Sequence, residues 1–144
     1  MVQRADIKDC RILSQLAVQM WDGHTEEELE NGFMEEMESG KTAFFIKYAS
    51  SQPVGFAQCG LRHDYVEGTE TSPVGYLEGI FVEEEYRENG YAKEMLLACE
   101  KWAKDMGCTE FASDCELDNA GSYAFHIARG FEETNRVICF KKNI

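Results

Sequence analysis

The chain is short of positive charge. Its 144 residues hold 14 Lys and Arg against 27 Asp and Glu, a formal net charge of −13 at pH 7. That deficit argues against nucleic acid and anionic membranes as partners, since both reward a basic face. It suits a cationic small molecule, which a negative surface attracts and steers. Proline is scarce: Pro53 and Pro73 stand alone, and no low-complexity linker or internal repeat interrupts the chain. One continuous domain over residues 1–144 is expected, of a length that buries a core without metal or disulfide. No run approaches the roughly 18 apolar residues of a membrane span. The cysteines Cys10, Cys59, Cys99, Cys108, Cys115 and Cys139 include no CxxC pair, which removes zinc-knuckle and thioredoxin-like sites. No metal is expected. The opening MVQRADIKDC is charged and reads as lacking a signal peptide, so reduced thiols in a cytoplasmic protein are expected. A hydrophobic content of 44% with 12% aromatics excludes a disordered acidic tail.

What is present is periodic. Val2 to Arg4 reads as a first strand. Ile12, Leu13, Leu16, Ala17 and Met20 recur at helical spacing and predict a helix over 7–21. Thr25 with Glu28 is a capping-box pattern opening a helix over 25–38, striped by Leu29, Phe33 and Met37. Residues 42–50 and 54–64 read as a hairpin about Ser51-Gln52, followed by a loop over 65–74. GYLEGIFV at 75–82 reads as a strand buried on both faces. Residues 92–106 carry the clearest amphipathic helix, with Gly107 at its C-terminal cap. A strand over 109–115, a short helix over 119–129 ended by Gly130, and one or two strands within 131–142 complete the reading. Strands alternate with helices only in the second half, so a mixed α/β sheet with at least one parallel βαβ crossover is expected.

Four places carry chemistry. Arg87-Glu88-Asn89-Gly90-Tyr91-Ala92 lies between the apolar strand and the amphipathic helix, where free backbone N–H groups and the helix dipole welcome an anion. It has no Walker A lysine and no GxGxxG. Glu78 is a carboxylate inside an apolar strand, costly unless it faces a wet cleft or a positive partner. Beside it Gly79 suggests a bulge that leaves backbone N–H groups free for a substrate carbonyl. Such a carboxylate is a natural general base. Asp114 lies at the C-terminal end of the next strand, where open α/β sheets bind ligands. On the short helix, about 100° per residue puts Asn119, Ser122, Tyr123 and His126 on one face. Tyr123 and His126 are both candidate proton donors. Trp21, Asp22 and His24 form an aromatic corner, and Tyr65 stands at a strand end, able to stack on a ligand.

Taken in order, these residues resemble the GNAT acetyltransferase superfamily. Its acetyl-coenzyme A loop, Arg/Gln-x-x-Gly-x-Gly/Ala, is matched by Arg87, Gly90 and Ala92, and its later Asn-x-x-Ser helix by Asn119 to the Gly130-Phe131 ending. A closer likeness is to the aminoglycoside 6'-N-acetyltransferases. It rests on Arg62-His63-Asp64-Tyr65-Val66, Thr71-Ser72-Pro73-Val74, Leu77-Glu78-Gly79-Ile80-Phe81-Val82, Phe111-Ala112-Ser113-Asp114 and Gly130-Phe131-Glu132-Glu133-Thr134. The resemblance implies a mostly antiparallel mixed sheet with a parallel central crossover, flanked by helices. It implies acetyl transfer from acetyl-coenzyme A to the 6'-amino group of an aminoglycoside, with antibiotic resistance as the outcome. Ile80, Phe81 and Val82 would meet the acetyl-pantetheine arm. Glu88 to Lys93, including Asn89, Gly90, Tyr91 and Ala92, would cradle the pyrophosphate with Arg87, and Asn119 would contact the cofactor. Trp21, Tyr65, Glu78, Asp114 and Asn135 would face the drug, with Glu78, Asp114, Tyr123 and His126 the catalytic set. Two positions depart from the pattern: His126 stands where many such enzymes carry a thiolate-protonating Tyr, and Asn135 where this group often has an acid. Polyamines or protein amino groups are alternative substrates, and a non-catalytic coenzyme A-binding module is a further alternative. Apolar residues within 136–140 could pair with a second copy, which predicts a homodimer.

Overall fold

The computed structural model describes residues 1–144. Its five strands are β1 (Val2–Arg4), β2 (Thr42–Ala49), β3 (Gln52–Arg62), β4 (Val74–Val82) and β5 (Phe111–Ser113). They lie side by side in that order, with β1 to β4 antiparallel and β4 to β5 parallel. The helices are α1 (Cys10–Ala17), α2 (Glu26–Glu38), α3 (Tyr91–Asp105) and α4 (Ala120–Ala128). No helix is long and apolar enough to cross a membrane.

Strand β2 shows why its sequence reads as unbroken hydrophobicity. Side chains alternate across a strand. Phe44 and Ile46 enter a core with Cys10, Leu13, Leu16 and Phe33 beneath α1 and α2. Ala43 and Phe45 enter a second core with Met95, Leu96, Cys99 and Trp102 beneath α3. Both faces are therefore covered. Phe44 is 1% exposed and meets the Phe33 ring at 4.8 Å, so truncation to Ala is expected to cost about 3–5 kcal/mol.

Lys47 on β2 is the charged residue that this packing buries. Its ammonium pairs with Glu94 and lies 4.3 Å from the centroid of the Tyr91 ring. Tyr91 and Glu94 belong to the first turn of α3, so the pair fixes where that helix starts. At its far end, Gly107 takes φ +93, as the C-terminal reading required.

Several boundaries differ from the sequence reading, among them the hairpin turn, which falls at Ser50-Ser51 so that β3 begins at Gln52. The first helix is split: Ile7–Asp9 is a tight turn, and α1 ends at Ala17, leaving Trp21 in the connection to α2. The tight turn carries a reciprocal capping box between Asp6 and Asp9 that periodicity does not reveal. Thr25 does cap α2, accepting the Glu28 N–H at 3.1 Å, but the Glu28 carboxylate turns to His24 at 3.4 Å. Strand β5 is three residues long. Residues 131–144 form no strand; Val137, Ile138 and Phe140 are 72%, 81% and 90% exposed, with no sheet neighbour to receive them. The parallel crossover β4–α3–β5 consequently lies at one edge of the sheet.

Candidate active site

Strands β4 and β5 pair only from Gly75 with Phe111 to Leu77 with Ser113, and then part. Strand β4 runs on to Val82 with its β5-facing edge unpaired. The sequence reading of a strand covered on both faces therefore holds only to Leu77; from Glu78 to Phe81 it opens. The opening is one wall of a cavity of about 1050 Å³. The α3 N-terminus, α4 and the Trp21 corner close the others.

The parting begins at a bulge. Opposite Gln58 and Cys59 on β3 stand Gly79 and Leu77, so Glu78 is the extra residue. A bulge re-aims a side chain, and Glu78 turns into the cavity. A Cβ on Gly79 would lie 2.6 Å from the Trp21 ring, so the glycine lets the indole rest on the bulge. The guanidinium of Arg62 donates to both Glu78 oxygens at 3.0–3.1 Å and stacks 3.5 Å from the centroid of the Tyr76 ring. The Tyr76 hydroxyl in turn donates to Asp114. Burial and the Asp114 charge push the Tyr76 phenol well above its ordinary range, so it stays a donor. The two predicted carboxylates are thus linked through Arg62 and Tyr76.

A smaller cavity of about 410 Å³ adjoins the first, and Trp21 and Glu78 line both. On its far wall the buried Gln58 amide donates to Glu36 at 2.5 Å. Burial, and then the neighbouring Glu78 charge, push the Glu36 carboxyl above its ordinary range, while the Gln58 bond opposes them.

At the other end, Glu88 and Gly90 take φ +66 and +77, turning the chain sharply into α3. The first intrahelical bond runs from Glu94 N–H to Gly90 at 3.1 Å. The amides of Tyr91, Ala92 and Lys93 precede it and are unclaimed within the helix. Nothing lies within 4 Å of a Cβ built on Gly90, so this anion-favouring helix end is open. Arg87 lines the cavity, its Nε donating to the Val82 carbonyl at 2.8 Å. Asn119 caps α4, its side chain accepting the Ser122 N–H at 3.0 Å.

Helix α4 turns His126 inward. Its Nδ1 lies 2.6 Å from the Ser122 carbonyl oxygen and its Nε2 2.7 Å from the Ser113 hydroxyl.

The cavity thus brings together Trp21, Glu78, Ile80, Phe81, Val82, Arg87, Glu88, Gly90, Tyr91, Ala92, Lys93, Asp114, Asn119 and His126. Four predicted residues lie outside its lining. Asn89 closes its own turn, donating to Tyr86 and Arg87 carbonyls at 3.0 and 3.2 Å. Tyr65 is 76% exposed and its hydroxyl accepts the Gly68 N–H at 3.3 Å. Tyr123 is 42% exposed, turned toward Glu133 and Arg136, because one residue of helical rotation separates it from the face of Ser122. Asn135 donates to Glu67 at 2.8 Å on the outer surface. Sequence reasoning assigned no role to Arg62, Tyr76, Ser113 or Glu36. A lone Arg within reach of a strand carboxylate was the available signal for Arg62; the others had none.

The comparisons agree with this geometry. The model of the acetyltransferase (GNAT) family matches residues 10–131. The aminoglycoside N(6')-acetyltransferase type 1 of Salmonella typhimurium is 42% identical over 127 residues, 88% of this chain and 88% of its own. That of Stenotrophomonas maltophilia is 37% identical over 140 residues, 97% of this chain and 91% of its own. The solved structure of AAC(6')-Iy in complex with the bisubstrate analog CoA-S-monomethyl-acetylneamine superimposes with a TM-score of 0.95 at 37% identity, covering 100% of this chain and 98% of that one.

Proposed function

This chain belongs to the GNAT acetyltransferase family, and from that premise we propose that it transfers acetyl from acetyl-coenzyme A to the 6'-amino group of an aminoglycoside. The observation that carries the reading is the fork: two acidic groups, Glu78 and Asp114, face one cavity from the two strands that part. The residues present fit the cofactor's parts. The amides of Tyr91, Ala92 and Lys93 would hold its pyrophosphate. The unpaired edge of β4 from Ile80 to Val82 would hydrogen-bond the pantetheine arm.

The amine arrives protonated. Glu78 removes a proton, directly or through water, and Asp114 holds the cation in place. The Arg62 guanidinium already grips Glu78, so an incoming ammonium shares that carboxylate with it. A backbone N–H on the bulged strand polarises the thioester carbonyl, a contribution worth roughly 2.7–4 kcal/mol per donor in other enzymes. Alignment of amine and thioester supplies much of the remaining rate. The net charge of −13 supports a polycationic substrate over a neutral amine.

The same reading takes the protein to be a single domain over residues 1–144, acting in the cytoplasm, where drug acetylation confers resistance. It also takes it to be a homodimer, supported by the exposure of Val137, Ile138 and Phe140 and by β5 ending the sheet as an unpaired edge. Sedimentation showing only a 16.4 kDa species rejects the dimer. Incubating purified protein with acetyl-coenzyme A and kanamycin or tobramycin tests the enzyme. Acetylated drug is expected, with turnover falling about a hundredfold or more in Glu78→Gln. Full turnover in that variant excludes Glu78 as the base.

A further inference from the structure

Both ring nitrogens of His126 are engaged. Nδ1 faces the Ser122 carbonyl oxygen at 2.6 Å. A carbonyl only accepts, so Nδ1 carries a hydrogen whether the ring is neutral or charged. Nε2 faces the Ser113 hydroxyl at 2.7 Å. The rings of Phe125 and Phe131 stand edge-on at 5.9 and 5.0 Å and hold the imidazole in this plane. Nδ1 also lies 3.4 Å from the Ser122 hydroxyl, but its hydrogen is held by the shorter contact to the carbonyl, so the direct route for a proton from Nε2 to the cleft is the Ser113 hydroxyl.

Ser113 occupies a singular position. It is the last residue of β5 and pairs with Leu77, the final pair before the strands part. Its hydroxyl therefore stands at the base of the fork and lines the cavity. The next side chain, Asp114, is claimed by Tyr76, which leaves Ser113 as the uncharged hydroxyl at that point.

We propose that the Ser113 hydroxyl is the proton donor to the thiolate released from acetyl-coenzyme A, with His126 as the positioning residue that recharges it. The inference rests on the acetyltransferase reading above. With the ring protonated, Nε2–H donates to Oγ, and the hydroxyl hydrogen, whose other acceptor is the Asp114 carbonyl at a long 3.5 Å, turns into the cleft. As the C–N bond forms and the C–S bond breaks, sulfur takes the Oγ proton and Oγ takes the Nε2 proton. The electron pair of the C–S bond stays on sulfur, and the ring ends neutral, to be reprotonated from solvent. The amine's own protons leave by way of Glu78, so one proton is released overall. Ser113 forms no bond to carbon.

The test compares wild type, Ser113→Ala and Ser113→Thr with kanamycin and acetyl-coenzyme A. Calorimetric binding of acetyl-coenzyme A and 15N NMR of the His126 ring accompany the kinetics. In Ser113→Ala, kcat is expected to fall about a hundredfold, with KM for both substrates and the coenzyme dissociation constant unchanged. Ser113→Thr, which keeps the hydroxyl, is expected to recover most of the loss. The Nε2 resonance is expected to move in Ser113→Ala and to stay in Ser113→Thr, while Nδ1 remains protonated in all three. Full kcat in Ser113→Ala overturns the proposal while leaving the acetyltransferase reading intact. A mass gain of about 42 Da on Ser113, one acetyl group in place of the hydroxyl hydrogen, also overturns it, because the hydroxyl would then be a nucleophile. A wild type inactive on every amine tested, yet showing the expected ring resonances, removes the acetyltransferase reading and this inference with it.

Discussion

The Tyr76 hydroxyl donates to Asp114 across the last paired stretch of β4 and β5, while Arg62 lies over the face of the same ring. The phenol therefore orients one cleft carboxylate and supports the cation that grips the other. Tyr76→Phe removes the donor and keeps the ring. It is expected to raise KM for the aminoglycoside about tenfold, the loss of one hydrogen bond to a charged acceptor. KM for acetyl-coenzyme A stays as it was. Steady-state kinetics with each substrate varied in turn check the split.

Attraction between a chain of net charge −13 and a polycation acts over the screening length. That length falls from about 30 Å at 0.01 M to about 3 Å at 1 M salt. Aminoglycoside KM is expected to climb steadily across this range, with kcat nearly constant. A KM that ignores salt removes steering from the account.

Gly79 has no room for a methyl group, since its Cβ would fall 2.6 Å from Trp21 and 3.0 Å from Met20. In Gly79→Ala the indole is forced off the bulge. Overpacking of this kind costs about 1–3 kcal/mol. Denaturant unfolding is expected to show that loss, together with weaker aminoglycoside binding than the stability change alone would give.

Glu36 binds its proton more tightly in the folded chain than its ordinary value of 4.5 allows, chiefly through burial. Below about pH 4 both folded and unfolded chains carry the proton, and nothing is lost. As pH rises through 4.5 toward the higher folded value, the unfolded chain ionises first and the fold loses stability. Glu36→Gln still accepts the Gln58 amide and has nothing to ionise. Its Tm is expected to exceed that of wild type at pH 7 and to match it at about pH 4. Thermal melts at the two pH values decide.

The motif Arg87 to Ala92 and the carboxylates Glu78 and Asp114 were legible because each violates a local rule: a glycine-bearing turn before a helix, or a charge in an apolar strand. The partners of those residues were not. Arg62 reaches Glu78 because the bulge between Leu77 and Gly79 turns the carboxylate toward it. A hydropathy pattern holds no record of such a shift. Tyr123 shared its predicted face with Ser122, but one residue of helical rotation is enough to carry a side chain out of a cleft. The final strands were read from the apolar run at 136–140, yet a strand needs a neighbour as well as a propensity. That run has none within the chain.

Four of the six thiols, Cys10, Cys59, Cys99 and Cys108, are sealed in the interior, and Cys115 is exposed where it lines the large cavity. The molecule thus carries a chemical handle on the threshold of its own cleft. Once the exposed Cys139 is replaced by serine, a maleimide fluorophore fixed there watches ligands come and go, and an electrophile tethered there becomes a plug.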